Sequence, residues 1–167
     1  VDESMEMIRL KTSVLLAAAL KIGAYLAGAP REDAEKLYDF GVKIGLAFQL
    51  QDDFLDVYGD PKVFGKNIGG DILCNKKTYM LITALSQAKG TQRAELDKWL
   101  GTYEYVPEEK ISAVTRIYNE LGIGTLCEQM IDAYYAQGLS ALESVSLPAE
   151  QKEVLRKMAC GLMNRKV

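Results

Sequence analysis

The chain reads as all-α, and three observations predict it. Apolar residues recur at helical spacing over nearly the whole length, alternating β-branched runs are scarce, and Pro and Gly fall where helices would begin and end. Hydrophobic residues make up 49% of the 167, enough to build a buried core. No internal repeat or low-complexity linker interrupts the pattern, so residues 1–167 read as a single all-α unit.

Residues 4–27 predict one amphipathic helix, with Ser4 as N-cap and Gly28 near its end. Pro30 opens a second helix running to about Val57, with Glu32 and Asp33 in the first turn, where the helix dipole favours acids. Gly41 and Gly45, four apart in this helix, predict close packing of one backbone against another. Each glycine costs about 1 kcal/mol of helix propensity relative to Ala, which tight packing or function must offset. Residues 59–75 break the helical pattern with a Gly-rich stretch, longer than the usual connection and of the kind that tends to carry function. Asn75 is the expected cap of a helix through Ala88, and Thr91 that of a short one to Leu100. Pro107 starts another to about Leu121, a further helix covers 124–144, and Pro148 opens the last.

Composition excludes several classes. Histidine is absent, which removes Ser-His-Asp and Cys-His catalysis and His-ligated zinc. Cys74, Cys127 and Cys160 are few and far apart, so neither a disulfide framework nor a zinc knuckle is expected, and a reducing cytoplasm fits best. A net charge of −3 argues against nucleic acid as a partner. The longest apolar run, Val14 to Leu20, is bracketed by Lys11 and Lys21 and falls short of the roughly 18 residues that span a bilayer. The chain opens Val-Asp-Glu rather than with Met, from which a processed or truncated protein is expected.

The most informative segment is Phe48 to Asp56, Phe-Gln-Leu-Gln-Asp-Asp-Phe-Leu-Asp. On a helix Asp52 and Asp56 stand at i and i+4, about 5–6 Å apart at Cβ, and Asp53 and Asp56 at i and i+3. All three can therefore converge on one side, and no Lys or Arg between Ile44 and Tyr58 relieves their repulsion. A bound divalent cation turns that repulsion into shared coordination. With oxygen ligands alone the ion should be hard, and Mg²⁺ is expected because it takes a few carboxylates together with phosphate oxygens and water. The competing reading is an acidic stripe facing solvent.

Basic residues shift the balance. Lys66 and Lys76 lie in and just after the Gly-rich loop, and Lys11 precedes Thr12 in the first helix. Each alone reads as a surface lysine. Beside a metal-binding acidic cluster they match a diphosphate, which needs a metal ion on one side and ammonium groups on the other. Gly65, Gly69 and Gly70 would let the backbone approach such a ligand.

At these residues the chain resembles the trans-isoprenyl diphosphate synthases, the polyprenyl synthetase family. Phe48–Asp56 resembles the family's second aspartate-rich motif, DDxxD. Gly59-Asp60, Gly65-Lys66, Gly69, Asp71-Ile72 and Asn75-Lys76-Lys77-Thr78 resemble the string that follows it, and Met7 to Thr12 the helix bearing a Lys-Thr pair. The resemblance implies an isoprenoid-synthase helical bundle, here an incomplete half-bundle, and condensation of isopentenyl diphosphate with an allylic diphosphate. It implies that Asp52 ligates a Mg²⁺ with Asp53 and Asp56 in support. It further implies that Lys11 and Lys66 hold the allylic diphosphate, that Lys76 assists on the loop flank, and that Thr12 and Gln49 line the reacting centre. Phe48 would pack beside the homoallylic substrate. Arg165-Lys166 resembles the family's basic tail, with a charged terminus as the plain alternative. The family is commonly dimeric, so a homodimer is expected.

One departure stands out. The family carries a first aspartate-rich motif well upstream of the second, and an Asp-Asp-x-x-Asp run occurs in this chain only at 52–56. The expectation is therefore a C-terminal portion of a synthase, inactive alone, with an apolar face exposed where further helices would pack. The alternatives are a non-catalytic partner subunit, which has no need of Asp52, Asp53, Lys11 and Lys66, and another terpenoid-fold enzyme, which the 65–76 string disfavours. In this family product length is set beside the first motif.

Overall fold

The computed structural model describes residues 2–60 and 68–163, with side chains from Met5 onward. Lys66, Gly65 and the Arg165-Lys166 pair lie outside the described residues. Every regular element among the described residues is helical: α1 (Asp2–Ile8), α2 (Val14–Leu26), α3 (Arg31–Tyr58), α4 (Gly70–Leu73), α5 (Tyr79–Gln87), α6 (Gly90–Gly101), α7 (Pro107–Glu120), α8 (Ile123–Glu143) and α9 (Ala149–Met163). Between α1 and α2 runs a π-helical turn, Arg9–Ser13, in which the Val14 N–H donates to the Arg9 carbonyl.

The sequence carries no linker, yet the fold divides into two compact units. Among the described residues the first comprises 2–4 and Asp52–Glu128, and the second Met5–Gln51 and 129–163. The boundaries fall inside helices, α1, α3 and α8, so no change of composition marks them.

In the second unit, α1 and α2 form the expected first helix, already under way at Asp2, so Ser4 is interior to it rather than its cap. It ends in a Schellman motif. Gly28 takes φ 78°, its N–H donates to the Tyr25 carbonyl, and the Ala29 N–H donates to that of Ala24. The two interior glycines of α3 have a steric reason. A Cβ at Gly41 would lie 2.6 Å from the Ala17 Cα, and one at Gly45 would lie 2.8 Å from the Ser13 Cα. The helices meet backbone to backbone. Phe40, Ile44, Leu142 and Ala159 fill the main core, and Ile8, Ala17, Val42 and Leu46 a smaller one. Two buried charged side chains close helix ends here: Asp33 Oδ1 accepts the Ser146 N–H at 3.0 Å, and Lys152 donates to the Glu143 carbonyl at 2.6 Å. On α2, Leu15, Ile22 and Leu26 are exposed.

In the first unit α4, α5 and α6 each pack on α7. Thr78, not Asn75, caps α5: its Oγ1 accepts the Leu81 N–H at 3.1 Å. Asn75 instead ends α4 in the left-handed region, at φ 52°. Its N–H donates to the Ile72 carbonyl and that of Lys76 to Asp71, a Schellman motif with Asn in the place glycine usually takes. Sequence alone misplaced the cap because Asn serves both ends of helices, and a four-residue helix inside a Gly-rich stretch leaves no periodic trace. Helix α6 likewise starts at Gly90, one residue ahead of the expected Thr91 cap.

Candidate functional site

The acidic segment forms the last turns of α3, and a loop segment folds back on it. The Asp56 carbonyl accepts the Gly69 N–H at 2.6 Å, and Asp56 Oδ2 accepts the Asp71 N–H at 2.8 Å. Gly69 makes the return at φ 86°, starting α4 beside the acids. Lys76, just past the Asn75 turn, then reaches the same place. Its Nζ lies 2.9 Å from Asp53 Oδ1 and 2.7 Å from Asp71 Oδ2.

The three aspartates thus have different surroundings. Asp53 is buried and ion-paired. Asp56 is half-buried, and its carboxyl is pushed above the ordinary carboxylate value. Burial is the main cause, opposed by the hydrogen bond from Asp71. Asp52 is likewise half-buried. Lys76 is held above the ordinary lysine value: its bonds to Asp71 and Asp53 outweigh the burial that acts against its charge. Nearby, burial pushes the Cys127 thiol up to about 12, with the Asp53 charge adding to the effect, so this cysteine is not a nucleophile.

The donor set bears on a metal. Among the described residues no group of three or more acidic or thiol side chains is placed to hold an ion. The expected convergence of three carboxylates gives way to a division of labour, in which Asp53 answers Lys76 and Asp56 receives a backbone N–H. These residues fit a hard cation that takes one or two carboxylate oxygens and completes its shell with phosphate oxygens and water, as Mg²⁺ does. They do not fit an all-protein metal cage.

The other sequence-predicted residues belong to the second unit. Lys11 is exposed and Thr12 half-buried, both within the π-helical turn, a distortion that often accompanies functional positions. Thr12 Oγ1 lies 3.3 Å from Gln49 Oε1, a long hydrogen bond that nonetheless brings the two predicted reaction-centre residues together. Phe48 is half-buried one residue earlier on α3.

Two residues of the first unit went unassigned from sequence. Asp71 shares Lys76 with Asp53, and Lys110 supports the Asn75 turn. Lys110 had a legible signal, since it stands on the apolar stripe of α7 with Val114, Ile117 and Tyr118.

Comparison with known proteins bears on the same residues. The family model described as polyprenyl synthetase matches residues 1–121. A short chain isoprenyl diphosphate synthase of Methanothermobacter thermautotrophicus is 36% identical over 156 residues, covering 93% of this chain and 44% of that protein. A geranylgeranyl pyrophosphate synthase crystal structure superposes with a TM-score of 0.89 at 38% identity, over 100% of this chain and 52% of the other. A geranylgeranyl pyrophosphate synthase from Corynebacterium glutamicum, complexed with isoprenyl diphosphate and magnesium, gives 0.86 at 31% identity, over 99% and 47%. The chain spans about half the length of the curated relatives it matches.

Proposed function

This chain belongs to the polyprenyl synthetase family, and on that footing we propose that it is the C-terminal, diphosphate-gripping portion of a Mg²⁺-dependent trans-prenyltransferase. The complete enzyme would condense isopentenyl diphosphate with an allylic diphosphate. The observation that carries the reading is the Lys76 ammonium set between Asp53 and Asp71, beside the carboxyls of Asp52 and Asp56.

The chemistry follows from that arrangement. A leaving diphosphate is stabilised by cations placed before it departs. Asp53 and Asp71 fix Lys76 in place, so that its charge is already oriented when a diphosphate arrives. Asp52 and Asp56 would hold Mg²⁺, which neutralises charge on the departing group when bound. The raised Asp56 carboxyl favours this: a partly desolvated carboxylate gains most from a nearby cation. Lys66 shares this assignment through the ordered string that contains it. Lys11, Thr12, Phe48 and Gln49 hold their substrate roles on sequence resemblance, with the Thr12–Gln49 contact in support. An Asp-Asp-x-x-Asp run occurs in this chain only at 52–56, so the chain alone should turn over no substrate.

The test is product extraction from the complete synthase that contains this segment, beside its Asp52→Ala variant. Turnover should fall by well over about tenfold, or 1.4 kcal/mol of transition-state stabilisation. A variant that stays within that margin removes the metal role from Asp52.

A further inference from the structure

We propose that Lys110 is a positioning residue for Lys76: from the interior of α7 its ammonium locks the turn at Leu73–Asn75 and so fixes where the Lys76 side chain reaches. The inference rests on the reading that Lys76 and the neighbouring aspartates serve a diphosphate.

Lys110 is 1% exposed, a rare state for a lysine. Among the described residues no carboxylate pairs with it. Its Nζ donates instead to Asn75 Oδ1 at 2.7 Å and to the Leu73 carbonyl at 3.2 Å, and sits 4.3 Å from the centre of the Tyr105 ring. An ammonium has three hydrogens. Two are taken by the turn, and the ring face receives the remaining charge. Tyr105 Oη donates to the same Leu73 carbonyl at 2.8 Å. The other end of the Asn75 amide is held as well, since Nδ2 donates to the Leu100 carbonyl at 3.2 Å.

The Leu73 carbonyl and both ends of the Asn75 side-chain amide are therefore tied to α6, α7 or the segment between them, and the next residue is Lys76. Stability alone does not call for this. A methionine on the stripe of Val114, Ile117 and Tyr118 would pack as well without desolvating a charge, and burial already holds the Lys110 ammonium below its ordinary pKa. What the ammonium supplies is a directional grip on the Asn75 carbonyl oxygen, and through it the register of Lys76 against Asp53 and Asp71.

The complete synthase tests this with Lys110→Met, Asn75→Gly, Lys76→Met and the Lys110→Met/Lys76→Met double variant. Glycine accepts the Asn75 backbone and removes only its amide, so Asn75→Gly decides the matter should Lys110→Met not fold. Expected are KM values for the allylic diphosphate raised about fivefold or more by Lys110→Met and by Asn75→Gly, with kcat within about twofold. Lys110→Met should add nothing once Lys76 is gone, because residues acting in series do not add. An unchanged KM in Asn75→Gly, or effects of Lys110→Met and Lys76→Met that multiply, reduces Lys110 to a structural residue. Should Lys76→Met itself leave KM unchanged, the diphosphate reading of Lys76 fails, and the positioning role falls with it.

Discussion

The two units solve burial in opposite ways. In the second, glycine, alanine and serine let the first helix and α3 touch along their backbones, Phe40 and Ile44 fill the space, and the buried charges Asp33 and Lys152 bond to the backbone at Ser146 and Glu143 and pair with a nearby Lys36 and Glu143. In the first, the buried or half-buried polar groups Asp53, Asp71, Asn75, Lys76 and Lys110 gather around one short turn and bond to one another. Polar networks of this kind are costly when incomplete and fix a unique geometry when satisfied. Their concentration at one place separates a unit held by apolar packing from one held by a polar network.

Breaking the network should have the largest effect on stability. Lys76→Met takes away the ammonium that Asp53, 3% exposed, shares with Asp71, and is expected to destabilise the protein by about 3 kcal/mol in urea unfolding. Adding Asp53→Asn should restore a good part of that loss, because it removes one of the two carboxylate charges that the ammonium balanced. If the double variant is no more stable than the single one, the network is not the electrostatic unit described.

The apolar unit should fail sterically instead. An exposed glycine inside a helix usually gains about 1 kcal/mol when replaced by alanine. Gly45→Ala should reverse the sign and lose about 1–2 kcal/mol, since its Cβ would meet the Ser13 Cα at 2.8 Å, a backbone atom that cannot rotate away. Stabilisation by Gly45→Ala would show that the helices are not in backbone contact.

The same contrast explains what could be read from sequence. Helix bodies were legible because apolar periodicity is local: Arg31–Tyr58 and Pro107–Glu120 fall within a residue or two of expectation. The acid motif and Lys76 were legible because their residue types suit one chemistry. The close approach at Gly41 and Gly45 was legible as a pattern, though Ala17 and Ser13 as its partners were not. What stayed hidden depends on tertiary placement. Asn75 swaps a capping role for a left-handed turn because Lys110 and the Leu100 carbonyl take both ends of its amide. Lys110 shares a stripe with Val114 and Ile117, but its partners, the Leu73 carbonyl and Asn75, come from elsewhere in the chain. The split into two units left no trace because it passes through the bodies of helices, near the end of α3 and the start of α8.

The smallest effect separates function from stability within the acidic segment itself. The Asp56 carboxyl is raised above its ordinary value of 3.8, chiefly by burial, so the folded protein holds this proton more tightly than the unfolded chain does. Its contribution to stability is fully present below 3.8 and is lost as pH rises through the higher folded value. At neutral pH the Asp56 carboxylate therefore weakens the metal-free fold. Asn keeps an oxygen for the Asp71 N–H and carries no charge, so Asp56→Asn should raise Tm slightly at pH 7, with the gain vanishing in acid below the ordinary carboxylate value. Mg²⁺ with pyrophosphate should invert the order in the complete synthase, stabilising the wild type more than the variant, because a ligand that binds only the folded state adds stability in proportion to its affinity. A gain from Asp56→Asn that is the same at acid and neutral pH, or that survives saturating Mg²⁺ and pyrophosphate, would show that Asp56 neither resists ionisation in the fold nor answers to the cation.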